Sequence, residues 1–191
     1  MGLKLKKGTS LPLKKKAPAL KVLRIECGWE VLAKALDLDV SVFGLNAGQA
    51  LESHVVYWGQ TQSHDGTITH SGDNKVGGQG VVEAIEVNLV DLAKKSPFIE
   101  EISIIMSIDK ARQKGFNFGK LNNAFVRLVN AQTEDVIVEY DLDEQFNTSI
   151  SVQVGSLVKD NVGEWSFSEV AHGYPDKDFE EIANKYGIYS D

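Results

Sequence analysis

The tightest constraint on this chain is a two-residue rhythm. Asp37-Leu-Asp-Val-Ser-Val-Phe43 alternates polar and apolar side chains. Successive side chains of a strand point to opposite faces, so Asp37, Asp39 and Ser41 share one face while Leu38, Val40 and Val42 share the other. A helical period of 3.6 would spread both sets around the axis. The same rhythm, or a short apolar run, marks residues 22–27, 83–88, 101–108, 124–130, 136–141, 149–158 and 165–170 as further strands. Turn chemistry separates them: Asn46-Ala-Gly48, His64-Asp-Gly66, the glycine-rich stretch 71–80, and the segments 130–133 and 159–163. About eight strands at this spacing predict a mainly β protein, a two-sheet antiparallel β-sandwich. The nearly all-apolar segment 102–108 reads as a central strand.

Helix is sparse. Residues 90–95 read as a turn of helix stopped before Pro97. Residues 176–186 read as a short C-terminal helix, with Asp176 and Asp178 favouring its start, Phe179, Ile182 and Tyr186 on one face, and Gly187 at its end.

Composition narrows the function classes. The 191 residues carry a formal net charge of −7, unevenly spread. Residues 1–24 hold eight cations and no acid, which leaves 12 cations against 27 acids in the other 167 residues, a net −15. An acidic body with a short basic arm is not a nucleic-acid-coating protein, and Trp29, Trp58 and Trp165 do not interleave with basic residues as a base-stacking groove requires. The tryptophans are therefore assigned to core or rim. No apolar run is long enough for a membrane span, and no secretory signal is expected. Cys27 is the only cysteine, so an internal disulfide and a CxxC zinc clamp are both excluded, and a reduced, cytoplasmic location is expected.

Candidate chemistry is limited. Cys27 lies in an apolar strand and reads as packed. Four histidines and no Gly-x-Ser-x-Gly elbow supply no nucleophile–base pair, so no enzymatic activity is expected. His64 and His70 lack further zinc ligands. The stretch 71–80 lacks the Gly-Lys-Ser/Thr ending of a phosphate loop and precedes a strand rather than a helix. Its glycines do allow backbone carbonyls to converge, and Asp73 and Asn74 add side-chain oxygens. With Asp37 and Asp39 at a neighbouring strand end, these are donors that suit a hard divalent cation. EF-hand spacing is absent, because Val42 and Gly48 fall where that loop needs Gly and Glu. Asp109, also at a strand end, is a further acid that could support such a loop. The stretch containing Gln113, Phe116, Asn117, Phe118, Asn122 and Asn123 reads as polar bracing of a long loop with its aromatics in the core.

Several consecutive motifs give this chain a wider resemblance. Leu5-Lys-Lys-Gly8, Cys27-Gly-Trp-Glu30, Leu36-Asp-Leu-Asp-Val-Ser-Val-Phe43, Asp65-Gly-Thr-Ile-Thr-His70 followed by Ser71-Gly-Asp-Asn74, Phe116-Asn-Phe-Gly119, Asn122-Asn-Ala-Phe125, Arg127-Leu-Val-Asn130, Tyr140-Asp-Leu142 and Gly163-Glu-Trp-Ser-Phe167 occur in the order found in the TerD-like family of tellurium-resistance and general stress proteins. The chain resembles that family over almost its whole length, as a single domain over 1–191. The resemblance implies a calcium-binding β-sandwich, cytoplasmic and sometimes membrane-associated, that assembles with other TerD-like or stress-response proteins. It makes the first part of the 1–20 basic arm an edge strand. Carried over residue by residue, it nominates Asp37, Asp39, Asp73, Asn74 and Glu83 as metal ligands.

One departure bears on the metal. Gly80-Val-Val-Glu83 has valines where the family's pattern has two aspartates, and Gln79 stands where an acid is common. Affinity follows ligand charge and number, so at most one weak Ca2+ site is expected rather than two strong ones. Two alternatives follow: a metal-independent structural interaction protein in which Val81 and Val82 pack against the sandwich, and a small-molecule or nucleotide binder with a concave polar pocket.

Overall fold

The computed structural model describes residues 7–31 and 36–188. Lys4, Leu5 and Lys6 of the basic arm lie outside them. Eleven strands are described, in two antiparallel sheets: β1 (Ser10–Pro12), β2 (Val22–Val31), β3 (Leu38–Asn46), β4 (Gln49–Val56), β5 (Ile68–His70), β6 (Glu83–Asn88), β7 (Glu101–Ile108), β8 (Leu121–Asn130), β9 (Asp135–Asp141), β10 (Ser151–Lys159) and β11 (Trp165–Tyr174). One sheet runs β1-β11-β10-β7-β3-β4 and the other β5-β6-β2-β8-β9. This is the expected β-sandwich, and β7, the apolar segment, is interior to its sheet.

The alternation in β3 has the predicted consequence. Leu38, Val40 and Val42 are fully buried between the sheets, with Ile104 and Val152 beside them and Ile25, Ile85 and Leu128 opposite. The other face of the six-stranded sheet is covered differently. There Phe43, Leu45, Val55, Ile105 and Tyr174 form a second apolar cluster beneath a C-terminal helix, α5 (Phe179–Lys185). Phe43 stacks on Tyr186 with ring centroids 5.4 Å apart. The helix starts at a capping box between Asp178 and Glu181. It ends at Gly187 with the two amide bonds of a Schellman motif, Gly187 N–H to Asn184 O and Ile188 N–H to Ala183 O.

Four further helices are described in connections: α1 (Leu13–Lys16), α2 (Leu89–Lys95), α3 (Ala111–Lys114) and α4 (Leu142–Gln145). Strand β1 pairs only with β11, at the sheet edge. Lys14, Lys15 and Lys16 fall on α1 rather than on that strand, with Leu13 buried beneath and Lys14 paired to Glu164 at 2.6 Å. The paired residues, Ser10–Pro12, contain no lysine. The edge is blunted by its shortness and by Pro12, which has no N–H to offer.

Two local features place the functional end. Ala47 and Gly48 both have positive φ, 50° and 77°, which lets a two-residue turn close the β3–β4 hairpin. At the bulge in β2, a Cβ on Gly28 would lie 2.1 Å from the carbonyl oxygen of Gly80. Only glycine permits that approach, and it seats the long β5–β6 loop against the other end of the sandwich.

Candidate cation site

Asp37 immediately precedes β3 and Asp39 is its second residue, where Leu38 and Asp39 pair with Ile108 and Ser107 of β7. The ladder continues one step beyond the strand, because Asp109 N–H donates to the Asp37 carbonyl at 3.0 Å. Asp73 arrives from the β5–β6 loop of the opposite sheet. Carboxylate oxygens of Asp37, Asp39 and Asp73 all lie within 4.8 Å of one another. Two oxygens each about 2.4 Å from one calcium ion are at most about twice that distance apart, so the spacing fits a shared hard cation.

Asp73 pairs with Lys75 at 3.4 Å, but Asp37 and Asp39 are poorly compensated by protein groups. Asp37 Oδ1 is buried without a hydrogen-bond partner. Asp39 is 4 % exposed, and its carboxylate takes no hydrogen bond or ion pair among the described residues. Burial pushes Asp39 up to about 8, reinforced by the charges of Asp37, Glu83, Asp73 and Asp109. Asp37 is pushed up to about 6 by burial and by Asp73, Glu83 and Asp109, with Lys114 opposing. Clustered like charges that burial prevents from being hydrated favour either a proton or a divalent cation.

The other two nominated residues brace the site instead of converging on it. Glu83 is buried to 1 % and faces the interior. Its Oε1 accepts the Asn74 N–H at 2.8 Å, and its Oε2 lies 3.4 Å from the Val40 N–H and 3.5 Å from His70 Nε2. It ties the loop to β3. Asn74 Oδ1 accepts the Val76 N–H at 3.1 Å and so shapes the loop. His70 Nδ1 accepts the Gly72 N–H at 2.9 Å, which assigns the ring proton to Nε2, facing Glu83. Asp109 is held beside the cluster with its carboxylate on Lys114 Nζ at 3.1 Å.

Other expectations resolve by burial. Cys27 is fully buried, and desolvation pushes its thiol well up, away from reactivity. Trp29 and Trp165 are core, whereas Trp58 is 50 % exposed. Phe118 is buried as expected of the polar-aromatic stretch. Val81 is 42 % exposed, so it does not make the core contact that the metal-independent reading requires; Val82 is partly buried.

A partly buried acid of a different kind escaped the sequence reading. Asp65, in the β4–β5 connection, accepts hydrogen bonds from Ser63 Oγ, Thr67 N–H and Thr67 Oγ1 on one oxygen and from Ser96 Oγ on the other. His54 Nε2 lies 3.1 Å from Asp65 and 3.0 Å from Ser96 Oγ. These donors hold Asp65 well below the usual carboxylate range, outweighing its partial burial. Ser96 points its proton at the acid rather than at the histidine and is 2 % exposed, so the trio is not a nucleophilic arrangement. Its signal in the sequence was the Asp65-Gly66 turn flanked by Ser63 and Thr67.

The fold and site together define a class: a two-sheet antiparallel sandwich with an oxygen-rich cleft where a strand end of one sheet meets a loop of the other. Residues 1–186 match the TerD domain family, and the chain belongs to that family. It is 35 % identical over 195 residues to general stress protein 16U of Bacillus subtilis (strain 168), covering 98 % of each chain. It is 31 % identical over 194 residues to tellurium resistance protein TerD of Serratia marcescens, again covering 98 % of each. A crystal structure of a homologue of telluride resistance protein (TerD) from Streptomyces coelicolor A3(2) shares the fold with a TM-score of 0.72 and 22 % identity, over 86 % of this chain and 96 % of that one. This is a family of tellurium-resistance and general stress proteins. No helix among the described residues is long and apolar enough to cross a membrane.

Proposed function

We propose that this chain is a non-enzymatic, calcium-binding module of the stress response, acting in the cytoplasm by assembling with other members of its family. The observation that carries the reading is the meeting of Asp37, Asp39 and Asp73 across the two sheets, with a buried, unpartnered oxygen on Asp37. These three residues would hold the ion, and Glu83 and Asn74 would hold the loop. A bound cation supplies two positive charges beside Asp37 and Asp39, whose own charge burial penalises, and it fastens the β5–β6 loop to the end of β3. That loop carries Val76, 66 % exposed, and Val81. Its order therefore governs how an apolar surface is presented to a partner. The missing acids at 81 and 82 keep the stoichiometry at one weak site.

Calcium titration by calorimetry tests the reading, with thermal melting in calcium and in chelator alongside. One site should appear in the wild type and vanish in a chain carrying Asp37→Asn and Asp39→Asn. No heat and no shift of melting at millimolar calcium would sink it.

A further inference from the structure

Beside the carboxylate cluster lies a cavity of about 530 Å³, between the outer face of the six-stranded sheet, the segment 109–113 and the first turn of α5. Its volume is in the range that holds small ligands. Asp39 belongs to both the cluster and the cavity wall, and Ser107, its cross-strand partner on β7, lies next to it on that wall. Two residues along the same face of β3, Ser41 Oγ is buried and also lacks a partner. Part of the lining is aromatic. It is formed by Trp58, half exposed, and Phe179, and Tyr57 contacts both rings with centroids 5.5 Å and 5.0 Å away. Lys110 also lines the cavity, with its side chain 63 % exposed and, among the described residues, Asp109 at 3.8 Å as its one ion-pair partner. It occupies the left-handed region, φ 50°, where a non-glycine residue costs energy.

We propose that this cavity binds a small aromatic oxyanion, a ring bearing a phosphate or carboxylate, whose oxygens complete the coordination of the cation at Asp39 while the ring lies against Trp58 and Phe179. The inference rests on the calcium reading above and names the ligand class of that same site. Two arguments carry it. Calcium takes six to eight oxygens, and a site left with three aspartates has room for oxygens from outside the chain; Asp39 is the one of the three that faces the cavity. The charge balance then fixes the order of binding. Four acids (Asp39, Asp109, Asp178 and Glu180) line the cavity against Lys110 and Arg112, and Arg112 is already engaged by Asp178 and Glu181. An anion is repelled from this cavity until a divalent cation is in place, and Lys110 then supplies a free donor. An apolar wall with few polar groups at one end is how a site selects a ring carrying a single charged group.

Calorimetric titration of phenyl phosphate into the full chain tests this, in saturating calcium and in chelator, with inorganic phosphate and benzoate as companion probes. Calcium titration of the same sample comes first. Expected are binding of phenyl phosphate in calcium and none in chelator. Inorganic phosphate, without a ring, should bind at least about tenfold more weakly, the scale of one aromatic contact. Benzoate shows whether a carboxylate serves as well as a phosphate; either result fits the class. Trp58→Ala should weaken phenyl phosphate about tenfold and leave calcium affinity unchanged, since Trp58 lies outside the carboxylate cluster. Lys110→Ala should weaken all three anions alike. No calcium binding overturns both this inference and the reading beneath it. Calcium binding without calcium-dependent retention of phenyl phosphate overturns the inference alone, as does a Trp58→Ala chain that binds phenyl phosphate like the wild type.

Discussion

Two aspartate sites in this molecule, at opposite electrostatic extremes, show how a fold separates structure from function. At Asp65 every oxygen is used: Ser63, Thr67 and Ser96 donate to it, and His54 completes the network. The acid is held well below its usual range, and the network pins the β4–β5 connection to the residue that ends α2. At Asp37, Asp39 and Asp73 the acids face one another, one oxygen is buried unpartnered, and two of the three are pushed upward. A satisfied buried carboxylate contributes to stability, whereas an unsatisfied cluster costs it until something else neutralises the charge.

Removing each site should therefore act in opposite directions. The largest effect is expected at the satisfied one. Asp65→Ala strands several buried donors and should cost about 3 kcal/mol. That is a fall in Tm of roughly 6–12 °C for a chain of this size, measured in a thermal melt. A fall under a degree or two would mean that the network is ornamental.

At the unsatisfied site the stabilisation comes from outside. Calcium at about 100 times its Kd should add about 2.7 kcal/mol, raising Tm by roughly 5–10 °C, and chelator should reverse it. The Asp37→Asn, Asp39→Asn chain should lose this response while keeping the response to Asp65→Ala.

The pH dependence should split the two sites next. Asp39 and Asp37 titrate higher in the folded chain, at about 8 and about 6, than the ordinary aspartate value of 3.8 expected of the unfolded one. Between roughly pH 4 and 8 the folded state therefore holds extra protons, and its stability falls as pH rises. In chelator this loss should be about 1–2 kcal/mol from pH 5 to 8 after allowing for solvent screening. Asp39→Asn should flatten it. Asp65 is shifted the other way, so its contribution is complete above about pH 4 and disappears as pH falls below that. Denaturant titrations at several pH values in chelator read both slopes, and a wild type whose stability rises from pH 5 to 8 would contradict the raised acids.

The smallest expected effect lies where the two kinds of acid meet. Asp178 caps α5 and pairs with Arg112, two residues before Lys114, the lysine that opposes the charge on Asp37. Asp178→Ala should cost about 1 kcal/mol, a drop of roughly 2–4 °C, with calcium affinity little changed. A large change in calcium affinity would show that the α5 contact and the cation site act as one unit.

The legible parts of this molecule are those written in local rhythm. The strands at 22–27, 83–88, 101–108 and 165–170 declared themselves by apolar content, and each is buried along at least one face. Strand β4 did not, because it is an edge strand whose burial is confined to its last three residues, His54, Val55 and Val56. With three residues, β5 is too short to show a period at all. The site was legible in its acids but not in their roles. Glu83 reads like any ligand in the sequence, yet it lies on the inward face of β6 with Ile85 and Val87, and the Asn74 and Val40 amides are near enough to occupy it.

Alternation along β3 alone put Asp37, Asp39 and Ser41 on one face and Leu38, Val40 and Val42 on the other, because side-chain direction in a strand is a property of adjacent peptide units. Asn46, Ala47 and Gly48 alone announced the turn at its end. That Asp73 joins those aspartates, that Asp109 stands beside them and that Trp58 and Asp39 line one cavity are consequences of pairing between residues tens of positions apart. Those meetings depend on which strands share a sheet and how two sheets pack. The chain carries them only as the sum of all its contacts, and only in the folded sandwich do they acquire a place.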